Sequence, residues 1–372
     1  MRTLRILADG VRQRLGAELA PRMLTYTVTF ACNARCVMCD SWRKPPEDEL
    51  TLGEIERIFE QMPKLDVVRL TGGEPFVRKD LLDIGSLAIS HLRPIVLHVT
   101  TNGFLTDRIV EFVERRPRRP LLHLLVSIDG VAEEHDRIRG HRHAWDFAIR
   151  TLEALAPRQR ELNLHVGVNQ TIVDRRGLEQ YARLRDRLAP LGIQNQAVIA
   201  YAESATYSLE RSVDLAPADP GSYRTHGDLP RDELAATLAQ MERDLGKLPL
   251  ADRIAKRFYL RGIRRRLLDG VASDQPPCAA LGAHIRLFPN GDVPTCQLNT
   301  IRAGNLRRQT FAEFQSDPLR RQQRDWVRRC KGCWAECEVL PSAVYSGRIF
   351  RALLPERRTP EPAVAATTVS TP

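Results

Sequence analysis

Three cysteines within eight residues, Cys32-Asn-Ala-Arg-Cys36-Val-Met-Cys39, constrain this chain more than any other stretch. They follow an apolar run, 24–30, that reads as a buried strand, so the thiols sit on a short loop at a strand end. A cubane 4Fe–4S centre normally takes four thiolates, and a loop carrying three leaves one iron without a protein ligand. That open corner is a place where a small molecule bearing an amine and a carboxylate can chelate, as open positions do in catalytic metal sites. Zinc is one rival, although a closed structural zinc site wants four ligands and the next His or Cys along the chain is His91. Disulfide pairing is the other, and it fits poorly with an N-terminus that lacks an export signal.

A second stretch, Thr71-Gly72-Gly73-Glu74-Pro75, follows another strand-like run, 66–70. Two glycines let the backbone approach a ligand closely, and Glu74 offers a carboxylate to an ammonium group. An ordinary strand-to-helix turn has the same composition. Its position about one βα unit after the cysteine loop is what gives the stretch weight.

Together the two stretches resemble the radical S-adenosylmethionine (radical SAM) enzymes. The resemblance implies that Cys32, Cys36 and Cys39 hold a 4Fe–4S cluster whose free iron binds the amino and carboxylate groups of SAM. It places Gly72, Gly73 and Glu74 at the SAM amine. It also implies reductive cleavage of SAM to a 5′-deoxyadenosyl radical that takes a hydrogen atom from substrate, fed by a flavodoxin- or ferredoxin-type electron donor. The family usually carries an aromatic residue before the third cysteine. Met38 stands there in this chain, and a Met can cover an adenine ring by a sulfur–aromatic contact.

With 372 residues the chain exceeds what one core usually supports, which predicts a large domain and a smaller one. Short β-like runs alternate with amphipathic helices from residue 24 to about 203. Strands are expected at 24–30, 66–70, 95–101, 121–127, 162–169 and 193–201, and helices near 79–92, 106–116, 143–155 and 176–190. Thr51-Leu-Gly-Glu54 is a capping-box signature opening a further helix with Ile55, Ile58, Phe59 and Met62 on one face. The pattern predicts an α/β fold, a partial (β/α)6 TIM-like barrel with its sheet parallel and its helices outside. Ligands of such barrels sit at the C-terminal ends of the strands. The cysteine loop, 72–74, 100–102 and Ser127 all fall there.

The segment Ser127-Ile-Asp-Gly130…His135-Asp-Arg-Ile-Arg139-Gly140 resembles a stretch common in radical SAM enzymes with an extra cluster domain. The resemblance places Ser127 and Arg139 near the ribose or carboxylate of SAM, and Asn102 and Asn169, at strand ends, join them as candidate contacts. Residues 2–17 form a candidate basic amphipathic helix, closing the barrel bottom or touching a membrane surface. Residues 206–230 lose periodicity and read as a linker or a substrate-covering loop, with helices resuming at 231–246 and 249–269. Arg264-Arg265-Arg266 reads as a solvated face or a docking point for an acidic donor. After Phe350 the composition turns to that of a disordered tail. The expected divisions are therefore 1–22, 23–205, 206–273, 274–345 and a tail at 356–372.

The other five cysteines all lie in the C-terminal third: Cys278, Cys296, Cys330, Cys333 and Cys337. Between the first two, Pro289-Asn290-Gly291 separates two short runs, 284–288 and 292–295, a β-hairpin signature that would present the flanking thiols to one side. Two cysteine pairs can also make a zinc ribbon. The C-x12-G-x4-C spacing from Cys278 through Gly291 to Cys296 resembles the SPASM and twitch auxiliary-cluster domains of radical SAM enzymes. A full SPASM domain carries more cysteines and a second cluster, so five cysteines imply one auxiliary 4Fe–4S cluster. Cys278, Cys296 and Cys333 are the expected ligands, with the fourth either Cys330 or Cys337.

The expected function is a radical SAM oxidation or epimerisation of a small molecule such as a sugar or aminocyclitol, assisted by the auxiliary cluster. The alternative is a maturase of a ribosomally made peptide. About 23 residues precede the first strand, too few for a leader-peptide domain, which tilts the expectation to the small molecule. No general base is assigned among Tyr201, Glu203 and His165. Nucleic-acid binding is disfavoured: the net charge is +10, but aromatic residues make up only 6 % and are not interleaved with the arginines. No stretch approaches the ~18 apolar residues of a membrane span, and the expected location is the cytoplasm.

Overall fold

The computed structural model describes residues 19–46, 48–201, 206–207, 225–270 and 275–354, together with Arg12. Apart from Arg12, the expected helix at 2–17 lies outside the described residues, as do the tail, Glu203 and most of the loop at 206–230.

The strands β1 (Met23–Thr29), β2 (Val67–Gly72), β3 (Val96–Thr101), β4 (Leu121–Ser127), β5 (Leu164–Ile172) and β6 (Asn195–Ile199) fall where periodicity placed them. They form one parallel sheet, and a seventh strand, β7 (His284–Leu287), joins it in the order 6-5-4-3-2-1-7. Helices α1 (Leu52–Gln61), α2 (Leu81–Leu87), α3 (Thr106–Arg115), α4 (Glu133–Arg139), α5 (Ala144–Leu155) and α6 (Arg175–Leu188) supply the crossovers. The capping box of α1 is present, with Glu54 Oε2 accepting from Thr51 N–H at 2.9 Å and Thr51 Oγ1 accepting from Glu54 N–H at 3.4 Å.

Alternation along the strands separates two environments. Leu24, Tyr26, Val68, Leu70, Leu97, Val99, Leu122 and Leu124 are buried with Ile55, Phe59, Ile84 and Phe112 in the core between sheet and helices. Each large side chain buried there contributes about 1.5–3 kcal/mol. The alternate residues Thr25, Arg69, His98 and His123 point into the barrel lumen, which is polar. Closed TIM barrels fill that space with branched apolar side chains. This open barrel does not.

The expected hairpin at 284–295 is corrected by the structure. The turn itself forms, with Phe288 N–H donating to Asp292 O at 2.8 Å and Gly291 at φ +87°. Its first arm, however, pairs in parallel with β1, Met23 opposite His284. Its second arm, β8 (Asp292–Pro294), pairs antiparallel with β9 (Arg302–Asn305). The free edge of β1 offers β7 a longer ladder than the three-residue β8 can, and both faces of β7 become buried.

Helices α7 (Arg231–Asp244) and α8 (Leu250–Leu267) are more than a linker. They build a second core with Trp334, whose indole stacks on Phe258 at 5.5 Å and donates to Tyr259 O at 2.9 Å. A Cβ at Gly262 would lie 1.7 Å from that indole, so the helix admits only glycine there. The three arginines ending α8 are half-buried, and Arg266 lies over the Trp334 ring and donates to Gln275 Oε1 at 2.9 Å. The solvated face expected of this run is therefore corrected. Helices α9 (Phe311–Ser316), α10 (Pro318–Arg329) and α11 (Glu336–Tyr345) complete the C-terminal part. Among the described residues no helix is long and apolar enough to cross a membrane.

Candidate functional site

The cysteine loop leaves the C-terminal end of β1 and is gripped by backbone from two sides and by a side chain from a third. Gly73 N–H donates to Thr29 O and Glu74 N–H to Ala31 O, both at 2.9 Å. A Cβ on Gly73 would lie 2.3 Å from Ala31 O, and one on Gly72 2.2 Å from Thr29 O. The close approach that these glycines permit is thus to the cysteine loop itself. On the other side, Arg35 N–H and Val37 N–H donate to the carbonyls of Arg139 and Ile138 at 2.8 and 3.0 Å. Gly140, at φ +56°, keeps this seam closed, since a Cβ there would meet Arg35 O at 2.3 Å. From β3, Asn102 Nδ2 donates to Asn33 Oδ1 at 2.6 Å.

Glu74 is buried, and its carboxylate accepts from Thr101 Oγ1 at 2.8 Å, Phe76 N–H at 3.1 Å and Asn102 N–H at 2.6 Å. Burial outweighs these neutral donors and pushes its pKa up to about 7. Arg139 forms an ion pair with Asp129, Nε to Oδ2 at 2.8 Å, and its Nη1 lies 3.6 Å from Cys36 Sγ. Burial works against its charge, but Asp129 and Cys36 outweigh burial and raise its pKa. Asp129, unassigned in the sequence, is the anchor: fully buried, it also accepts from Thr171 N–H at 2.9 Å. Ser127, at the end of β4, and Asn169 are register partners; Asn169 does not end its strand as expected but lies inside β5, which continues to Ile172, and it lines the cavity described below.

The C-terminal cysteines divide. Cys278, Cys296, Cys330 and Cys333 line one small cavity beneath Trp326 and Val327 of α10. Cys337, in the first turn of α11, faces a different space, and its Sγ lies 2.6 Å from Gln297 Oε1. All eight cysteines are free. Burial pushes the thiols of Cys32 and Cys278 up to about 12 and that of Cys39 up to about 11. Clustered thiols this reluctant to ionise become thiolates when a metal supplies the charge, so both donor sets fit soft iron–sulfur centres. Asp129 and Arg139 on one side, and Arg286 and Glu338 on the other, set the charge around them.

Between the two sets lies a cavity of about 470 Å³. Met38, Cys39 and Cys337 all line it, together with Arg69, His98 and His123. Tyr201 and Tyr207 also line it, and Gln297 Nε2 donates to Tyr201 Oη at 2.5 Å. The three histidines His98, His123 and His165 are register partners on β3, β4 and β5, with ring centroids 5.2 and 4.5 Å apart. Burial lowers the pKa of each, so they are neutral.

Comparison with known proteins agrees with this geometry. Residues 26–182 match the radical SAM superfamily and residues 278–334 match SPASM, an iron–sulfur cluster-binding domain. An AdoMet-dependent heme synthase of Methanosarcina barkeri is 26 % identical over 334 residues, spanning 86 % of this chain and 89 % of that protein. The mycofactocin maturase MftC of Mycolicibacterium smegmatis is 31 % identical over 175 residues, 45 % of this chain and 42 % of that protein. The fold is shared with Streptococcus suis SuiB bound to S-adenosylmethionine, at a TM-score of 0.55 and 15 % identity, over 83 % of this chain and 68 % of that one. The cofactors are S-adenosylmethionine, the 4Fe–4S cluster that binds it and an auxiliary 4Fe–4S cluster. The chain carries a radical SAM domain followed by a C-terminal SPASM domain.

Proposed function

We propose that this enzyme is a maturase that removes a hydrogen atom from a peptide held in the cavity between its two cysteine sites. The cavity carries the reading, because one bound molecule would share a lining with Met38 and Cys39 of the first cysteine loop and with Cys337 of the C-terminal part. The mycofactocin maturase alignment supports a peptide ahead of the sugar or aminocyclitol first expected. A second reading, a tetrapyrrole substrate, rests on the heme synthase alignment, which covers more of the chain.

Cys32, Cys36 and Cys39 would hold the SAM-binding cluster, and Cys278, Cys296, Cys330 and Cys333 the auxiliary one. When bound, these groups supply radical chemistry able to break an unactivated C–H bond. The chain's own residues do the positioning. Among the described residues no cation pairs with the Glu74 carboxylate, which suits it to the SAM ammonium. Gly72, Gly73 and Asn102 hold the loop that carries the cysteines, and Arg139 offsets thiolate charge at Cys36. Ser127, at the end of β4, and its register partner Asn169 present polar side chains where a ribose would sit. A neutral histidine floor can accept and donate hydrogen bonds without adding charge. An acidic flavodoxin- or ferredoxin-type donor would be drawn by the net charge of +10.

Deuterium transfer tests the reading. Peptides encoded beside the gene, deuterated at side-chain and Cα positions, are incubated anaerobically with the reconstituted enzyme, reductant and SAM. Deuterium in 5′-deoxyadenosine supports a peptide substrate. Label arriving only from a deuterated porphyrin carboxylate would replace it with the second reading.

A further inference from the structure

Arg69 is the inward residue of β2 between Val68 and Leu70, both of which are fully buried on the opposite face. Its guanidinium lines the cavity. Among the described residues it makes no hydrogen bond or ion pair, and its Nε is closed off from solvent without a partner. The other cations of the lining are engaged. Arg286 donates to Glu338 Oε1 at 2.7 Å and to Gln297 Oε1 at 3.2 Å, and Lys256 pairs with Glu336 at 2.6 Å. Those two pairs also use up the two glutamates nearest Arg69. Asp252, the remaining carboxylate of the lining, acts on His165.

A guanidinium taken out of water costs free energy, and among the described residues no hydrogen bond or ion pair of Arg69 offsets it. Sequences keep such a group where a ligand completes it. The surroundings narrow the ligand's chemistry. Arg286 beside Arg69 adds positive potential, the neighbouring imidazoles are uncharged, and His98 Nδ1 and His123 Nε2 also lack partners. The planar fork of an arginine matches a carboxylate through two parallel hydrogen bonds.

Resting on the cavity reading above, we infer that Arg69 is the seat of a substrate carboxylate, with the imidazoles of His98 and His123 as flanking hydrogen-bonding groups. A molecule anchored there lies in the same cavity as Met38 and Cys39, where hydrogen abstraction is proposed. A peptide terminus or acidic side chain meets this requirement, and so does a carboxylated macrocycle. A neutral sugar does not, and an aminocyclitol would bring a cation to the Arg69 guanidinium.

Cys337 serves as the reporter, because it opens on the same cavity and carries Arg69 as an electrostatic neighbour. Iodoacetate and iodoacetamide are alike in size, and both form a sulfur–carbon bond with loss of iodide and the thiol proton, but only the first is a carboxylate. Anaerobic reconstituted enzyme is treated briefly with each, and labelling at Cys337 is read by peptide mass mapping. The iodoacetate-to-iodoacetamide rate ratio at Cys337 should exceed that of glutathione by roughly tenfold or more, the size of a charge-assisted contact. Arg69→Gln should return the ratio to the glutathione value at unchanged iron content, and Arg69→Lys should keep part of the excess. Wild-type protein with a ratio at or below that of glutathione overturns the inference while leaving the cavity intact, whatever the variants do. Failure of both reagents to label Cys337 overturns the cavity reading, and the inference with it. Protection of Cys337 by a tripeptide acid but not by its C-terminal amide assigns the seat to a peptide. Protection by a porphyrin carboxylate alone assigns it to the macrocycle.

Discussion

The two cysteine sites are held in opposite ways. The N-terminal one is contiguous in sequence and clamped by backbone: glycines at 72, 73 and 140 let neighbouring carbonyls and amides close on the loop. The C-terminal one gathers thiols from three separate segments, and side chains hold it: Trp334 against Phe258, and Arg286 against Glu338. Each site has one buried glutamate, and these differ in the same sense. Glu338 accepts from Arg286 and from Gln297 N–H and faces His284 at 3.4 Å; those partners override burial and bring its pKa down to about 2. Glu74 meets only neutral donors and is pushed up to about 7. The auxiliary site spends its carboxylate on its own structure, whereas the SAM-binding site leaves one able to receive a cation.

Iron content gives the largest effect. Two cubane clusters correspond to about eight irons, and the Cys32/Cys36/Cys39→Ala triple variant should retain about four. Cys330→Ala should likewise lose about four through the other site. Cys337→Ala should lose none, because its thiol faces the large cavity rather than the four-cysteine one. Loss of iron in Cys337→Ala and retention in Cys330→Ala, measured after anaerobic reconstitution, would reverse the division of the five cysteines drawn from the geometry.

The glutamates provide the next contrast. Glu338→Gln leaves Arg286 buried without its counter-ion and should cost about 3–5 kcal/mol by urea unfolding. Glu74→Gln removes no ion pair and should cost less, in a pH-dependent way. The folded-state pKa of Glu74 lies above its ordinary value of 4.5, so the folded protein binds the proton more tightly. That stability is present in full below pH 4.5 and is lost as pH rises through about 7, an amount of about 3 kcal/mol. The buried histidines His98, His123, His135 and His284, whose pKa values are lowered, act in the opposite sense. The measurement is therefore the difference between wild type and Glu74→Gln from pH 5 to 8. It should shrink steadily as pH rises, and a pH-independent difference would mean that Glu74 is paired after all.

Strands β1 to β6 and the first cysteine loop were legible because their signals are local: apolar alternation, two glycines, three thiols in one loop. The pairing of β7 with β1 was not, since it joins residues about 260 positions apart and no local pattern records the partner. The Asn-Gly turn was read correctly and its ladder incorrectly for that reason. Cys330 and Cys337 could not be told apart by spacing, because both lie within reach of Cys333. What separates them is the start of α11 at Glu336, which carries Cys337 over to the cavity side. The lumen histidines did leave a signal. His98, His123 and His165 occupy equivalent inward positions of three apolar strands, and only the alignment of the strands turns three isolated polar residues into a ladder.

The smallest effect asks whether the two regions unfold together. Each has a helix opened by the same capping box: Thr51 with Glu54 on α1, and Thr310 with Glu313 on α9. Removing either hydroxyl, by Thr51→Ala or Thr310→Ala, should cost about 1 kcal/mol. If the C-terminal region melted by itself, Thr310→Ala would shift one early transition and leave the barrel's untouched. The structure argues for a single transition. β7 is an integral strand of the sheet, and Phe311 N–H of α9 donates to Gln61 Oε1 of α1 at 3.0 Å. Both substitutions should then lower the same urea midpoint by equal amounts and add in the double variant to within about 0.5 kcal/mol. Two resolved transitions with Thr310→Ala acting on only one would show that backbone clamp and side-chain clamp are separate structures, joined by a strand that contributes little to either.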